Sequence, residues 1–183
     1  MMKQLKTWAA VVAVAVGLQI ACGSPTSPST TAPPTTFLSY NSEPGDFVGD
    51  GMSARLTLAT ATFIPSVNDH YNAGIRHRIA LAIRPIDPPP RFWNLVLLSA
   101  VGQRLTAGVY ENAERFPSSP ERPGLDFSAS GGCNQATGRF QILEVVYGSN
   151  QPLDRLHVTF EQRCLGSTAA LRGEALILAD PWR

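Results

Sequence analysis

The sequence predicts an all-β domain: an antiparallel β-sandwich, immunoglobulin-like or jelly-roll-like, with seven to nine short strands and one disulfide bond. Three observations predict it. Apolar and polar residues alternate with a period of two in several segments of the 183-residue chain. Turn signals of Gly, Asn and Pro separate these segments every ~8 to 15 residues. No segment shows a helical stripe, apart from a turn near residues 67–73.

The clearest strand is IRHRIALAIR, residues 75–84, which Pro85 ends. Its alternation places one set of residues on the buried face: Ile75, His77, Ile79, Leu81 and Ile83. Further strands are expected, in order, over residues 54–63, 92–100, 105–110, 124–130, 138–147, 154–164 and 171–179. The strand 154–164 should bury Leu156, Val158 and Phe160, with His157 on the solvent side. The proline-rich stretch 115–124 has no periodicity and is expected to be a loop.

Two cysteines of this domain, Cys133 and Cys164, are expected to form the disulfide. The turn GSNQP joins the strands 138–147 and 154–164 into a hairpin, with Cys133 just before the first strand and Cys164 at the end of the second. An antiparallel pair places such positions side by side, within the reach of a disulfide. A metal site is the rival interpretation, disfavoured because no His stands at finger spacing.

The N-terminus is typical of a secretory signal peptide over residues 1–21: Lys3 and Lys6 precede an apolar run that is too short to span a membrane. The sequence around Cys22, ACGS, resembles the bacterial lipobox, whose Cys carries the lipid. Gln19 departs from that pattern, so ordinary cleavage after Gly23 is the alternative. We therefore predict a lipidated Cys22 and a Ser/Thr/Pro tether over 22–36, followed by a β domain over 37–183.

Charge and composition exclude several functions. Removal of residues 1–21 leaves thirteen Arg, fourteen carboxylates and no Lys. A nearly neutral surface argues against nucleic-acid binding, which needs a net basic face. The absence of Lys excludes Schiff-base chemistry and lysine nucleophiles. The sequence predicts no cofactor.

Four segments of the domain resemble an uncharacterised β-sandwich domain of exported bacterial proteins. They are SEPGDFVGDG (42–51), LTAGVYENAERFP (105–117), PGLDFSASGGCNQATGRFQILEVVY (123–147) and VTFEQRCLGSTAALRGE (158–174). The shared pattern contains SxPGDxIGxG, then GCNxxxGxF, then FEQxC and ALxG. Val48, Ala129 and Leu165 depart from it, where Ile, Gly and an acidic residue are usual. The resemblance implies the sandwich and the Cys133–Cys164 bridge, and it brings no catalytic residue.

Metal and catalytic candidates are weak. Asp46 and Asp50 could form a small acidic calcium loop, but too few oxygens lie close in sequence, and a glycine-rich turn is the preferred interpretation. His70 and His77, with Asp69, could ligate a metal, but the two His residues lack a spacing that suits a metal in a β context. Ser128 and Ser130 do not belong to a GxSxG elbow.

One polar cluster next to the predicted bridge is a candidate recognition patch, flanked by Trp93 or Tyr147. It consists of Glu161, Gln162 and Arg163 beside Cys164, together with Asn134 and Gln135. The simpler interpretation is that Asn134 and Gln162 satisfy backbone groups of turns and strand edges.

The predicted function is that of a lipid-anchored protein of the bacterial cell envelope, in the outer membrane where the host has one, whose β domain serves in binding or assembly. Its partners would be the membrane, through the anchor, and an envelope protein or glycan, with no nucleic acid. The sequence contains no recognisable catalytic set. A hydrolase with catalytic residues distant in sequence, a carbohydrate-binding module and a freely secreted domain are the alternatives.

Overall fold

The computed structural model describes residues 34–69, 76–87, 92–129 and 131–179. The regular secondary structure in these ranges is β-strand. The strands are β1 (Phe37–Ser42), β2 (Ser53–Thr57), β3 (Ala61–Asn68), β4 (Arg78–Pro85), β5 (Trp93–Leu98), β6 (Gly108–Glu114), β7 (Gly124–Ser128), β8 (Ala136–Val146), β9 (Arg155–Cys164) and β10 (Leu171–Leu178). Within these ranges we find no helix whose length and hydropathy would let it cross a bilayer.

All ten strands belong to one sheet, in the order β2-β1-β10-β9-β8-β6-β7-β5-β4-β3. Neighbours are antiparallel, except β6 and β7, which share one parallel bridge between Glu114 and Gly124. The sheet folds over on itself and is nearly barrel-shaped, so that side chains of β1 reach β5 and β7. The ring centroid of Tyr40 lies 4.7 Å from that of Trp93 and 5.7 Å from that of Phe127.

The all-β, antiparallel prediction is confirmed, whereas a two-sheet sandwich of seven to nine strands is not, because ten strands share one hydrogen-bonded sheet. Two features account for the higher count. The first strand, β1, follows directly on a Thr- and Pro-rich stretch and is too short to show a clear period. The expected strand 54–63 is divided by a tight turn in which Thr60 N donates to Thr57 O over 2.9 Å. After that turn β2 pairs with β1, and β3 pairs with β4.

The core follows the predicted alternation. On β4 and just before it, the inward residues are buried, as are those of β9: His77, Ile79, Leu81, Ile83, Leu156, Val158 and Phe160. Burial of these apolar side chains, at about 25 cal/mol per Å² of apolar surface, is the main force that holds the sheet closed. Ile75 lies outside the described residues.

The register of the strands divides the domain into two ends. Phe37, where the chain enters β1, pairs with Leu176, whereas Ser42 pairs with Leu171 at the other end of the strand. Leu171 in turn pairs with Gln162, and Cys164 pairs with Ala136. We call the end that holds Ser42 and Cys164 the distal end. Ser42 lies about 17 Å along β1 from Phe37, since a strand rises about 3.3 Å per residue.

Candidate functional site

The loop after β1, SEPGDFVGDG, is organised by a buried carboxylate at the distal end. Asp46 Oδ2 accepts hydrogen bonds from Ser42 Oγ (2.8 Å) and from Gly49 N (2.7 Å). Asp50 has a left-handed backbone, with φ at 53°. The described residues contain no group of three or more His, Cys, Asp or Glu side chains that could hold a metal ion. Through its hydrogen bonds to Ser42 and Gly49, Asp46 stabilises the conformation of this turn.

Two glycines make this turn possible. At Gly49 a Cβ atom would lie 2.4 Å from Cβ of Ser42, closer than two side chains can approach. Gly51 has a φ of 72°, which favours glycine because other residues clash there. The turn is thus fixed by its own packing and hydrogen bonds. Its central residue, Phe47, points outward and is 68% exposed.

The disulfide bond lies beside this loop. Cys133 and Cys164 are joined with a Cα–Cα distance of 5.2 Å, at the open end of the β8–β9 hairpin, as predicted. Directly after it, Leu165 N donates to Gln135 O over 2.9 Å and starts the turn toward β10. The side chain of Leu165 points into solvent and is also 68% exposed.

Phe47, Leu165 and the disulfide frame an open hollow of about 460 Å³, which we call the distal hollow. Its lining residues carry no charge. They are Phe47, Gly132, Cys133, Asn134, Gln135, Cys164, Leu165, Gly166 and Ser167. Gly131 supports one edge, since a Cβ there would lie 3.5 Å from Cε1 of Phe47. Segments far apart in the chain thus combine into one concave, partly apolar surface.

Of the predicted polar patch, Asn134 and Gln135 line the distal hollow. Gln162 is 1% exposed and points into the core, where the alternation of β9 places it. Its Oε1 accepts from Phe127 N (2.8 Å) and its Nε2 donates to Phe127 O (2.9 Å). Gln162 therefore does not belong to a surface patch. The simpler interpretation, that Gln162 satisfies backbone groups, is confirmed, because β9 turns this side chain inward toward Phe127 of β7.

Arg163 and the two proposed flanking aromatics lie elsewhere. Arg163 points to the outer face of the sheet, where it pairs with Glu161. Trp93 is buried and stacks on Phe127, with ring centroids 5.4 Å apart. Tyr147 packs edge-on against His77. None of the three therefore contributes to the distal hollow.

Ion pairs cover the outer face next to the hollow. Arg172 Nε lies 3.0 Å from Glu161 Oε2, and its guanidinium also pairs with Glu43. Glu43 Oε2 accepts from Ala170 N over 2.8 Å. The hydrogen bonds from Arg172 and from the Ala170 amide lower the pKa of Glu43. These charges are already paired, so this face does not present a free site for a charged ligand.

A second cluster surrounds His77. The imidazole is 3% exposed, with Asp69 Oδ1 2.9 Å from Nε2 and the Tyr147 hydroxyl 3.5 Å from Nδ1. The Tyr147 hydroxyl donates to Leu105 O over 2.5 Å, and burial raises its pKa to about 12. Burial lowers the pKa of His77, whereas the nearby carboxylate of Asp69 acts to raise it.

This arrangement joins a His to a carboxylate, but a substrate could not reach the enclosed ring without movement of the domain. Ser99 Oγ accepts from the backbone N of His77 and donates to Gln103 O, so its proton is already committed to a backbone carbonyl. His70, Ser130 and Cys22 lie outside the described residues.

Sequence reasoning missed Phe47 and Leu165, the two residues that shape the distal hollow. A signal was present: a large apolar residue occupies the centre of a glycine-rich turn, and another stands directly after Cys164. Both positions are typical of exposed turns, where such side chains have no core to enter. In comparisons with protein-family models, curated proteins and solved structures, none matches this chain.

Proposed function

We propose that this protein is a lipoprotein of the bacterial cell envelope whose β domain binds or assembles with another envelope component through its distal end. The single observation that carries the binding role is the pair of large apolar side chains, Phe47 and Leu165, exposed around the distal hollow. Large apolar and aromatic side chains in concave, rigid surroundings are the groups that dominate binding energy at interfaces.

Rigidity of the surroundings favours this role. Asp46 and Gly49 fix the loop that bears Phe47, and the disulfide fixes the turn that bears Leu165. A group already held in place loses little conformational entropy on binding, so more of its contact energy appears as affinity. In this proposal the folded-over sheet serves as a sandwich-like scaffold that holds the two turns together.

The envelope location rests on sequence alone: the signal peptide over 1–21, the lipidation at Cys22 and the tether over 22–36. It is tested by the intact mass of the membrane-extracted protein from its host, measured with and without reductant. We expect a chain that starts at Cys22 and carries acyl groups, and whose mass rises by about two hydrogens on reduction. Cys22→Ser is the control that should abolish acylation. An unacylated chain that starts near Ser24 would make it a secreted domain.

The binding role is tested by a photo-cross-linking amino acid placed at Leu165 in the full chain, in living cells. Val146, an exposed apolar residue at the opposite end of β8, is the matched control position. We expect a defined cross-linked envelope component at Leu165 only. Equal yields at both positions would contradict a role for the distal end.

A hydrolase is the second candidate, and the grouping of Asp69, His77 and Tyr147 is the observation that favours it. Turnover of ester, amide or glycoside substrates that is lost in His77→Gln, with the fold retained, would support it. A carbohydrate-binding role has weaker support, since Phe47 is the one aromatic residue that lines the distal hollow.

A further inference from the structure

We infer that the distal hollow binds an uncharged, extended segment of a partner protein, with one aliphatic or aromatic side chain between Phe47 and Leu165. This inference rests on the proposed binding function and adds the chemical class of the partner. Three features of the described residues carry it: the charge of the lining, the hydrogen-bonding groups at the rim, and the position of the hollow relative to the start of β1.

The lining selects against charge. All nine residues around the hollow are uncharged, while charged side chains nearby already have partners, such as Glu114 with Arg122 and Glu43 with Arg172. A charged group that entered the hollow would lose water without gaining an opposite charge, which is costly. An apolar side chain would instead remove the exposed surface of Phe47 and Leu165 from water, which is favourable.

The rim can bind a peptide backbone. The side-chain amides of Asn134 and Gln135 are exposed and make no hydrogen bond to another described residue. Each amide offers two donor hydrogens and an acceptor oxygen, which match the N–H and C=O groups of an extended chain. A sugar ring fits less well, because Phe47 is the one aromatic residue of the lining and the other large apolar side chain, Leu165, is aliphatic and offers no flat ring for stacking.

The hollow also faces away from the start of the domain. The chain enters β1 at Phe37, and the hollow lies at the opposite end of that strand. The proposed anchor at Cys22 precedes the Phe37 end of the sheet, so the hollow lies at the end of β1 where the anchored chain does not enter the domain, and a partner protein is the occupant that we infer.

The test uses the mature lipidated protein in phosphatidylcholine nanodiscs, with a phage-displayed library of random peptides of about twelve residues as the probe. We expect enriched peptides whose central residues are uncharged and include Leu, Ile, Phe or Tyr. A synthetic peptide of that sequence should bind at least about tenfold more weakly to Phe47→Ser and to Leu165→Ser, as for interface anchors. Val146→Ser, the matched control, should leave the affinity unchanged.

Because Phe47 and Leu165 are exposed, their Ser variants should keep the urea midpoint of the parent protein, which shows that a loss of affinity is not a loss of fold. Enrichment of acidic or basic peptides, no enrichment at all, or binding that ignores both Ser variants would overturn the inference. So would a self-association in sedimentation that Phe47→Ser abolishes, because the occupant would then be a second copy of this chain.

Failure of this inference is distinguishable from failure of the proposed function. If the cross-link from Leu165 reaches an envelope protein at a charged segment, the binding role stands and the inference fails. If it reaches an uncharged segment with an apolar side chain, and the corresponding peptide binds in the nanodisc assay, both stand.

Discussion

Replacement of Gln162 by Met removes a buried amide while keeping the length and volume of the side chain nearly constant. In the parent protein this amide bonds both Phe127 N and Phe127 O across the interior. The strand β7 has a full ladder only with β5, since its pairing with β6 is a single bridge at Gly124. In Gln162→Met, both backbone groups of Phe127 would lie in the core without these partners.

The expected cost follows from burial. A buried backbone donor or acceptor left without a partner costs about 1 to 3 kcal/mol. Two such groups are affected, and the apolar Met side chain returns about 1 kcal/mol by its own burial. We therefore expect the free energy of unfolding to fall by about 1 to 5 kcal/mol.

The assay is urea unfolding followed by tryptophan fluorescence, because Trp93 stacks on Phe127 and reports on this part of the core. With a urea m-value of about 2 kcal/mol per M, the midpoint should fall by about 0.5 to 2.5 M. Gln141→Met is the matched control. Gln141 is exposed on β8, so this change should alter stability by less than about 0.5 kcal/mol.

A loss of less than about 1 kcal/mol in Gln162→Met, or an equal loss in Gln141→Met, would refute the reasoning. The first result would mean that water or a shifted strand satisfies Phe127 at little cost. The second would mean that the substitution itself, and not the position, sets the effect.

Three further predictions concern stability. Arg76→Met should lower the free energy of unfolding by about 3 kcal/mol, because four acceptors around the buried guanidinium would lose their donor. The guanidinium of Arg76 donates to Ser99 O, Ser118 O, Ser118 Oγ and Arg122 O. The exposed substitution Arg139→Met is the control in the same urea assay. Reduction of the disulfide, which joins cysteines 31 residues apart, should lower the free energy of unfolding by about 3 to 4 kcal/mol. An unchanged urea midpoint after reduction with dithiothreitol would contradict this. Burial lowers the pKa of His77 in the folded state below its ordinary 6.5, despite the facing Asp69 and with help from Arg104. The unfolded chain then binds more protons below about pH 6.5, so stability should decline as the pH falls from 6.5 toward 5.5, and His77→Gln should remove that slope.

Most strands could be predicted because their buried faces alternate. The run from His77 to Ile83 keeps a period of two, and so does the run from Leu156 to Phe160, since each strand has one face in the core. The disulfide was predictable for a related reason. A hairpin whose turn is readable from GSNQP fixes which residues oppose each other, and Cys133 and Cys164 flank it.

The inward side chains of Gln162 and Arg76 were not predictable from residue type. Pattern analysis treats Gln and Arg as surface residues, but each is buried here because backbone groups need donors and acceptors where strand pairing ends. In the segment 75–84 the alternation places Arg76 on the polar face. The loop 115–123 covers Arg76 on that face and supplies carbonyl groups to it. Contacts between residues 42 or 46 positions apart leave no local signal in the sequence.

The distal hollow was missed for a similar reason. Its lining comes from the turn after β1, the approach to β8 and the turn after β9, and only the folded register brings them together. A glycine-rich turn was the preferred interpretation of the motif around Asp46, and the structure shows that these residues hold a turn. The exposed residue within that motif, Phe47, lines the distal hollow.

The place of β1 in the sheet has a consequence for biogenesis. This strand, the first of the domain, lies between β2 and β10, the last strand of the domain, and pairs with Leu171–Leu176 along its whole length. A chain delivered N-terminus first cannot complete that ladder until its final strand has emerged. Contacts of such long sequence separation form slowly. In the proposed export of this chain, the delay would keep the polypeptide unfolded during threading through a narrow translocation channel, and the barrel-like sheet would close only on the far side.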